Sequence, residues 1–97
     1  MTEITASSDT LHIVNKAPDH PRFGTFLRAL SDTDSVVLIE DAVLACTDPS
    51  LRLPKSCVAL TADIDARGLQ DLQPAPHMIS YGDLVRLTEQ HEQIISW

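Results

Sequence analysis

From Leu11 onward, short apolar runs alternate with polar, turn-forming stretches, and the spacing of the apolar positions changes from run to run. Leu11-His12-Ile13-Val14-Asn15 is short, β-branched and closed by Ala17-Pro18-Asp19, which reads as a strand entering a turn. Phe23, Phe26, Leu27 and Leu30 then fall at i, i+3, i+4 and i+7, one stripe of a helix. Pro21 suits the first turn of that helix, where its missing N–H costs nothing. Gly24 within it costs roughly 1 kcal/mol relative to Ala.

Ser31-Asp32-Thr33-Asp34 breaks the helix, and Ser35 to Ile39 is a continuous apolar run. A strand buried on both faces has this pattern, which is the mark of a parallel sheet. Asp41 is placed to cap a short helix carrying Ala42 to Cys46, ended by Asp48-Pro49-Ser50. Cys57 to Thr61 reads as a third strand. Asp63 would cap a helix of about one turn, Ile64 to Arg67, with Gly68 in the position of a C-terminal glycine. His77 to Tyr81 reads as a fourth strand, Ser80 and Asp83 match a capping pattern, and the last helix carries Leu84, Val85, Leu87 and Thr88. His91 falls near its C-terminus, and Ile94 to Trp97 is a candidate edge strand.

Repeated strand–helix alternation means parallel strands joined by right-handed crossovers. The expected fold is therefore a single-domain α/β structure. It has a mostly parallel sheet of four or five strands and helices on both faces. Residues 1–10 are polar and aperiodic and read as a flexible tail; residues 11–97 form the domain. A chain of 97 residues buries a modest core, about 60–65% of its unfolded surface.

Composition narrows the function more by exclusion than by assignment. Apolar residues make up 43% and charged residues 22%, a globular balance. No apolar run approaches the roughly 20 residues of a membrane helix, and the N-terminus lacks the basic and apolar regions of a signal peptide. The cytoplasm is the expected location. Seven Lys+Arg against fourteen Asp+Glu give a net charge of −7, and no basic cluster is present to bind phosphates, so direct nucleic-acid binding is not expected. With three glycines and no GxGxxG or P-loop, no nucleotide cofactor is expected.

In an open parallel sheet, ligands gather beyond the carboxyl ends of the strands. That rim would hold Asn15, Lys16, Glu40, Asp41, Thr61, Asp63, Ser80 and Tyr81, a mixed polar set without a nucleophile elbow or HExxH. Cys46 and Cys57 are the candidate sulfur nucleophiles. A thiolate needs a nearby cation or helix N-terminus. Cys46 instead sits among Ala42-Val43-Leu44-Ala45 with Asp48 close behind, which favours packing. Cys57 begins a strand at the amino edge, with Lys55 two residues before it, and packing is favoured there too. His12, Cys57 and His77 all fall near the amino ends of strands. They would need a common face and a fourth ligand to hold zinc, and no metal site is expected. Trp97 and Tyr81 are the large aromatics with polar tips, suited to a sheet edge or an interface.

Taken together, several segments resemble the TusB/DsrH family of sulfur-relay proteins. They are Leu11-His12-Ile13-Val14-Asn15-Lys16-Ala17-Pro18, Leu38-Ile39-Glu40-Asp41-Ala42-Val43, Asp65-Ala66-Arg67-Gly68-Leu69, Tyr81-Gly82-Asp83-Leu84-Val85-Arg86-Leu87-Thr88, and Trp97. The resemblance covers Leu11 to Trp97. It implies a DsrE-like, flavodoxin-like fold and a heterohexamer with TusC/TusD-like (DsrF/DsrE-like) subunits. In such a complex persulfide sulfur passes toward 2-thiolation of a tRNA wobble uridine, and the principal cysteine lies on the TusD/DsrE subunit. Some DsrH-type members carry a cysteine in the first helix; Phe23-Gly24-Thr25-Phe26-Leu27-Arg28 has none. The resemblance thus implies an accessory rather than a catalytic subunit, without a cofactor. Two alternatives stay open: a DsrEFH-type subunit of sulfur oxidation that carries persulfide on Cys46 or Cys57, and a stand-alone small-ligand binding module.

Overall fold

The computed structural model describes residues 10–97. The expected tail, residues 1–10, lies outside the described residues except for Thr10, which opens the first strand. The strands are β1 (Thr10–Val14), β2 (Ser35–Leu38), β3 (Cys57–Leu60), β4 (Met78–Ile79) and β5 (Gln93–Ser96). Between them lie α1 (Pro21–Ala29), a 3-10 helix (Glu40–Thr47), α2 (Thr61–Ala66) and α3 (Tyr81–Gln90). All five strands are parallel, in the order β4-β3-β2-β1-β5.

This order explains the layers. The chain steps outward from β1 to β4 and then returns to the other side of β1. Right-handed crossovers therefore put α1, the 3-10 helix and α2 on one face and α3 on the other. The core agrees. Val14, Val36, Leu38 and Ala59 pack with Phe23 and Phe26 of α1, Ala42, Val43 and Ala45 of the 3-10 helix, and Ile64 of α2. The intervening strand positions Leu11, Val37 and Leu60 are also buried but stand outside that cluster, as alternation across a sheet requires. On their side, α3 contributes no fully buried residue. A gap of about 360 Å³ separates its Asp83, Arg86, Leu87 and Gln90 from Val58 and Ile79. Tyr81 and Val85 of α3 and Ile94 of β5 remain exposed.

Local signals decide the element ends. Pro21 stands at the start of α1, whose N-cap is His20, with Nδ1 accepting from the Arg22 N–H at 3.0 Å. Ser80 and Asp83 form the expected capping box. Because Ser80 already caps α3, β4 is two residues long rather than the five from His77 to Tyr81. Gly68 takes φ +66° after α2. The Gly68 N–H bonds the Asp65 carbonyl and the Leu69 N–H that of Ile64, the two bonds of a Schellman ending.

Two expected caps are corrected. Asp41 does not cap the element after β2: Ile39 occupies that position without a side-chain bond, and the element is a 3-10 helix. Asp63 does not begin α2, which starts two residues earlier after Leu60. The cause lies at Glu40, whose φ of +50° is unusual for a residue with a Cβ. Its N–H donates to Asp63 Oδ2 at 2.8 Å, so the Asp63 carboxylate is used to hold that turn.

Candidate functional site

At the carboxyl rim the strands deliver most of the expected polar residues, and many of them are already engaged with one another. Arg67 Nη2 donates to Asp41 at 2.9 Å, and its Nη1 stands 3.7 Å from Asp63. Lys16 Nζ donates to Asn15 Oδ1 at 2.6 Å. Thr61 Oγ1 donates to the Ile79 carbonyl, tying β3 to the end of β4. Tyr81 is exposed. The rim is a braced edge: its carboxylates hold loops and helix starts in place.

The two cysteines are brought together at the opposite side of the core. Cys46, in the last turn of the 3-10 helix, and Cys57, first in β3, both line a cavity of about 230 Å³ with Leu38, Leu53, Ala59 and His77. Neither is disulfide-bonded. Burial pushes the Cys57 thiol up to about 12, and the neighbouring Cys46 adds to the rise. Burial also raises Cys46. Lys55, the cation expected near Cys57, is exposed and lines a separate polar cleft with Asp32 and Arg52. Both thiols are thus protonated at neutral pH, the opposite of an activated nucleophile.

His12, Cys57 and His77 do not converge. His77 reaches the cysteine cavity, but β2 lies between β1 and β3, so His12 and Cys57 are two strand spacings, roughly 10 Å, apart. Among the described residues no group of three or more His, Cys, Asp or Glu is placed to hold a metal ion.

His12 belongs instead to a buried network that the sequence reading did not contain. It is 1% exposed, and its Nε2 lies 2.8 Å from Asp34 Oδ2. Trp97 Nε1–H donates to its Nδ1 at 3.0 Å. An indole N–H can only donate, so Nδ1 accepts and the ring is neutral with its proton on Nε2, donated to Asp34. Asp34 also accepts from the backbone N–H groups of Thr10 and Ser31. Burial works to raise its carboxyl, but the bonds from His12, Ser31 and Thr10 together outweigh burial and hold it below its ordinary range. Thr10 Oγ1 donates to Gln93 on β5, and the Asp34 carbonyl accepts from Ser56 Oγ before β3. Asp34 thereby joins β1 and the loop before β2 through its carboxylate, and the loop before β3 through its backbone carbonyl. The signal available in sequence was weak: an Asp closing a polar break, 22 residues from its histidine.

The family profile described as DsrH-like protein matches residues 16–94. The chain belongs to the DsrH family. Curated relatives carry the name Protein TusB. Those of Enterobacter sp. (strain 638) and Pectobacterium atrosepticum are each 35% identical over 94 residues, and that of Escherichia coli O1:K1 / APEC is 37% identical over 98. Each match covers 90% of this chain and 99% of the relative. Placed on this DsrH-family fold, the segments of resemblance are β1 with its following turn, the β2–3-10 junction, the end of α2, α3, and Trp97. They include His12, Trp97, Gly68 and the Glu40–Asp41 turn. These are positions where the structure shows buried hydrogen bonds, a left-handed backbone or an ion pair.

Proposed function

We propose that this DsrH-family chain is an accessory subunit of a cytoplasmic, hetero-oligomeric sulfur-relay complex. It assembles with TusC- and TusD-like subunits, in a heterohexamer, and serves 2-thiolation of the tRNA wobble uridine. The persulfide is carried by a cysteine of a partner subunit. One observation carries this reading: both thiols of this chain line an apolar cavity and are held protonated, Cys57 at about 12. Sulfur acceptance by a cysteine begins with a thiolate attacking a persulfide sulfur, and among the described residues no lysine or arginine lines the cavity that holds the two thiols. The thin cover of α3 over its side of the sheet, with Tyr81, Val85 and Ile94 exposed, supports assembly.

Co-expression with TusC- and TusD-like subunits tests the assembly, with size-exclusion chromatography and light scattering as the readout. Co-elution at the mass of a hetero-oligomer is expected; a monomer that ignores both subunits sinks the proposal. The accessory role has its own test in cells lacking this chain. A variant with both Cys46→Ala and Cys57→Ala restores wobble-uridine thiolation to the wild-type level. Failure of that variant to restore it, with the complex still assembled, makes this chain a sulfur carrier.

A further inference from the structure

The network around His12 has one partner that can leave. Asp34 is anchored by the Thr10 and Ser31 N–H groups as well as by His12, and its carbonyl is bound by Ser56. Phe26 packs edge-on against the His12 ring with centroids 5.7 Å apart and is itself fully buried. Trp97, by contrast, is only partly buried and follows β5, which among the described residues is an edge strand beside β1. Its indole stacks on His12 at 6.1 Å and 17° and donates to Nδ1. Its backbone is tied by an N–H to the Ile13 carbonyl at 2.8 Å and by a carbonyl that accepts from Asn15 at 3.3 Å.

The donor inventory makes this arrangement depend on the charge of His12. A second proton on the ring must go to Nδ1, because Nε2 already carries one. Nδ1–H would then face the Trp97 Nε1–H, two donors with no acceptor between them. The groups around the ring pull in opposite directions. From the loop before β2, the Asp34 carboxylate favours the imidazolium. From α1, the Arg22 guanidinium lies 6.0 Å over the Trp97 ring and disfavours a second cation nearby. Phe26 offers only an apolar edge, and the nearby side chains of β1 and β5, Thr10 and Gln93, are neutral. Protonation therefore keeps the Asp34 bond and breaks the Trp97 bond.

We propose that His12 and Trp97 form a proton-operated latch: Trp97 is held while His12 is neutral and released when Nδ1 is protonated. Release loosens the end of β5 and uncovers the β1 side of the core. The latch is a property of the isolated chain and does not depend on sulfur transfer, so its success or failure leaves the proposed function to its own tests.

Trp97 is the one tryptophan of the sequence, so intrinsic fluorescence reports on it alone. The full chain is followed from about pH 8 to about pH 5, across the ordinary histidine range. The expected result is a shift of emission to longer wavelength and a rise in acrylamide quenching, while the far-UV circular dichroism stays constant. In His12→Asn, which offers an acceptor without a titrating ring, that pH dependence is lost. Emission that stays unchanged until the fold itself is lost overturns the latch, and so does an unshifted transition in the variant. Nitrogen-15 NMR of wild-type His12 provides a readout free of any folding defect in the variant. Nδ1 is expected to be unprotonated at the upper pH, and its protonation to share a midpoint with the change in the Trp97 indole N–H signal. A protonated Nδ1 at the upper pH, or two separate midpoints, overturns the latch.

Discussion

Cys57 offers the sharpest test of the claim that this subunit does not carry sulfur. With its thiol raised to about 12, the thiolate fraction at about pH 8 is on the order of one in 10⁴, against roughly a quarter for an ordinary cysteine near 8.5. The population factor is thus about 2,000-fold. A more basic thiolate is also the better nucleophile, with a Brønsted slope of about 0.4–0.5, which returns a factor of roughly 40. The net expectation from chemistry alone is attack on a disulfide reagent about 50-fold slower than by a free thiol. Partial burial of Cys57 beside Leu38, Leu53 and Ala59 slows it further. The assay is stopped-flow or quenched labelling with an aromatic disulfide, read by mass spectrometry at each cysteine, in native buffer and in urea. Urea should accelerate Cys57 by about 50-fold or more, and Cys46, raised by burial as well, should also gain. Native labelling of Cys57 within a few-fold of the unfolded rate would refute the reasoning, because it would require an accessible thiolate.

The remaining predictions concern the supports of the fold. The folded Asp34 carboxyl lies below its unfolded value, so its stabilising contribution is complete above the ordinary carboxylate range. That contribution is lost as the pH falls through the folded value. Urea midpoints should therefore decline below about pH 4, with a smaller decline in Asp34→Ala, which at neutral pH should cost about 2–5 kcal/mol by orphaning the His12 and Thr10 donors. Phe26→Ala, at a site with no exposure beside Phe23, His12 and Trp97, should cost about 3–5 kcal/mol in the same assay. Gly68→Ala should cost about 1–2 kcal/mol in thermal unfolding through its left-handed φ alone. A Cβ there would meet nothing within 4 Å, so a larger loss would point to an unforeseen clash.

Much of the architecture was readable from short-range pattern. The unbroken run Ser35–Ile39 announced a strand buried on both faces. The stripe from Phe23 to Leu30 announced α1, and Pro21, Gly68 and the Ser80–Asp83 pair marked ends that the structure keeps. The errors lie where a side chain prefers a distant partner to a local one. Asp41 and Asp63 have the composition of caps, yet one binds Arg67, 26 residues away, and the other holds the Glu40 N–H, 23 residues away. In sequence Asp34 is one more polar residue of a loop, since nothing in Ser31–Asp34 indicates a histidine on another strand. Strand order was likewise closed to sequence reasoning: the apolar runs say that strands are parallel, not that β5 returns beside β1.

The distribution of polar chemistry bears on function more directly than any single residue. At the amino end of the sheet, Asp34 gathers β1, α1's exit loop and the approach to β3; at the carboxyl end, Asp63 and Arg67 gather the Glu40 turn and α2. The two thiols, which would be the reactive groups of a sulfur carrier, are placed in a cavity that suppresses their ionisation. A catalytic α/β domain leaves its activated groups uncommitted at the carboxyl rim, where substrate arrives. Here the rim carboxylates Asp41, Asp63 and Asp83 are bound to Arg67, Glu40, Ser80 and Arg86, while exposed large apolar side chains stand on the 3-10 helix (Leu44), β4 (Met78), α3 (Tyr81, Val85) and β5 (Ile94). The polar groups of the reactive edge are committed to bracing the fold while apolar side chains stay uncovered, Tyr81 of the rim among them, which is the allocation expected under the proposed accessory role.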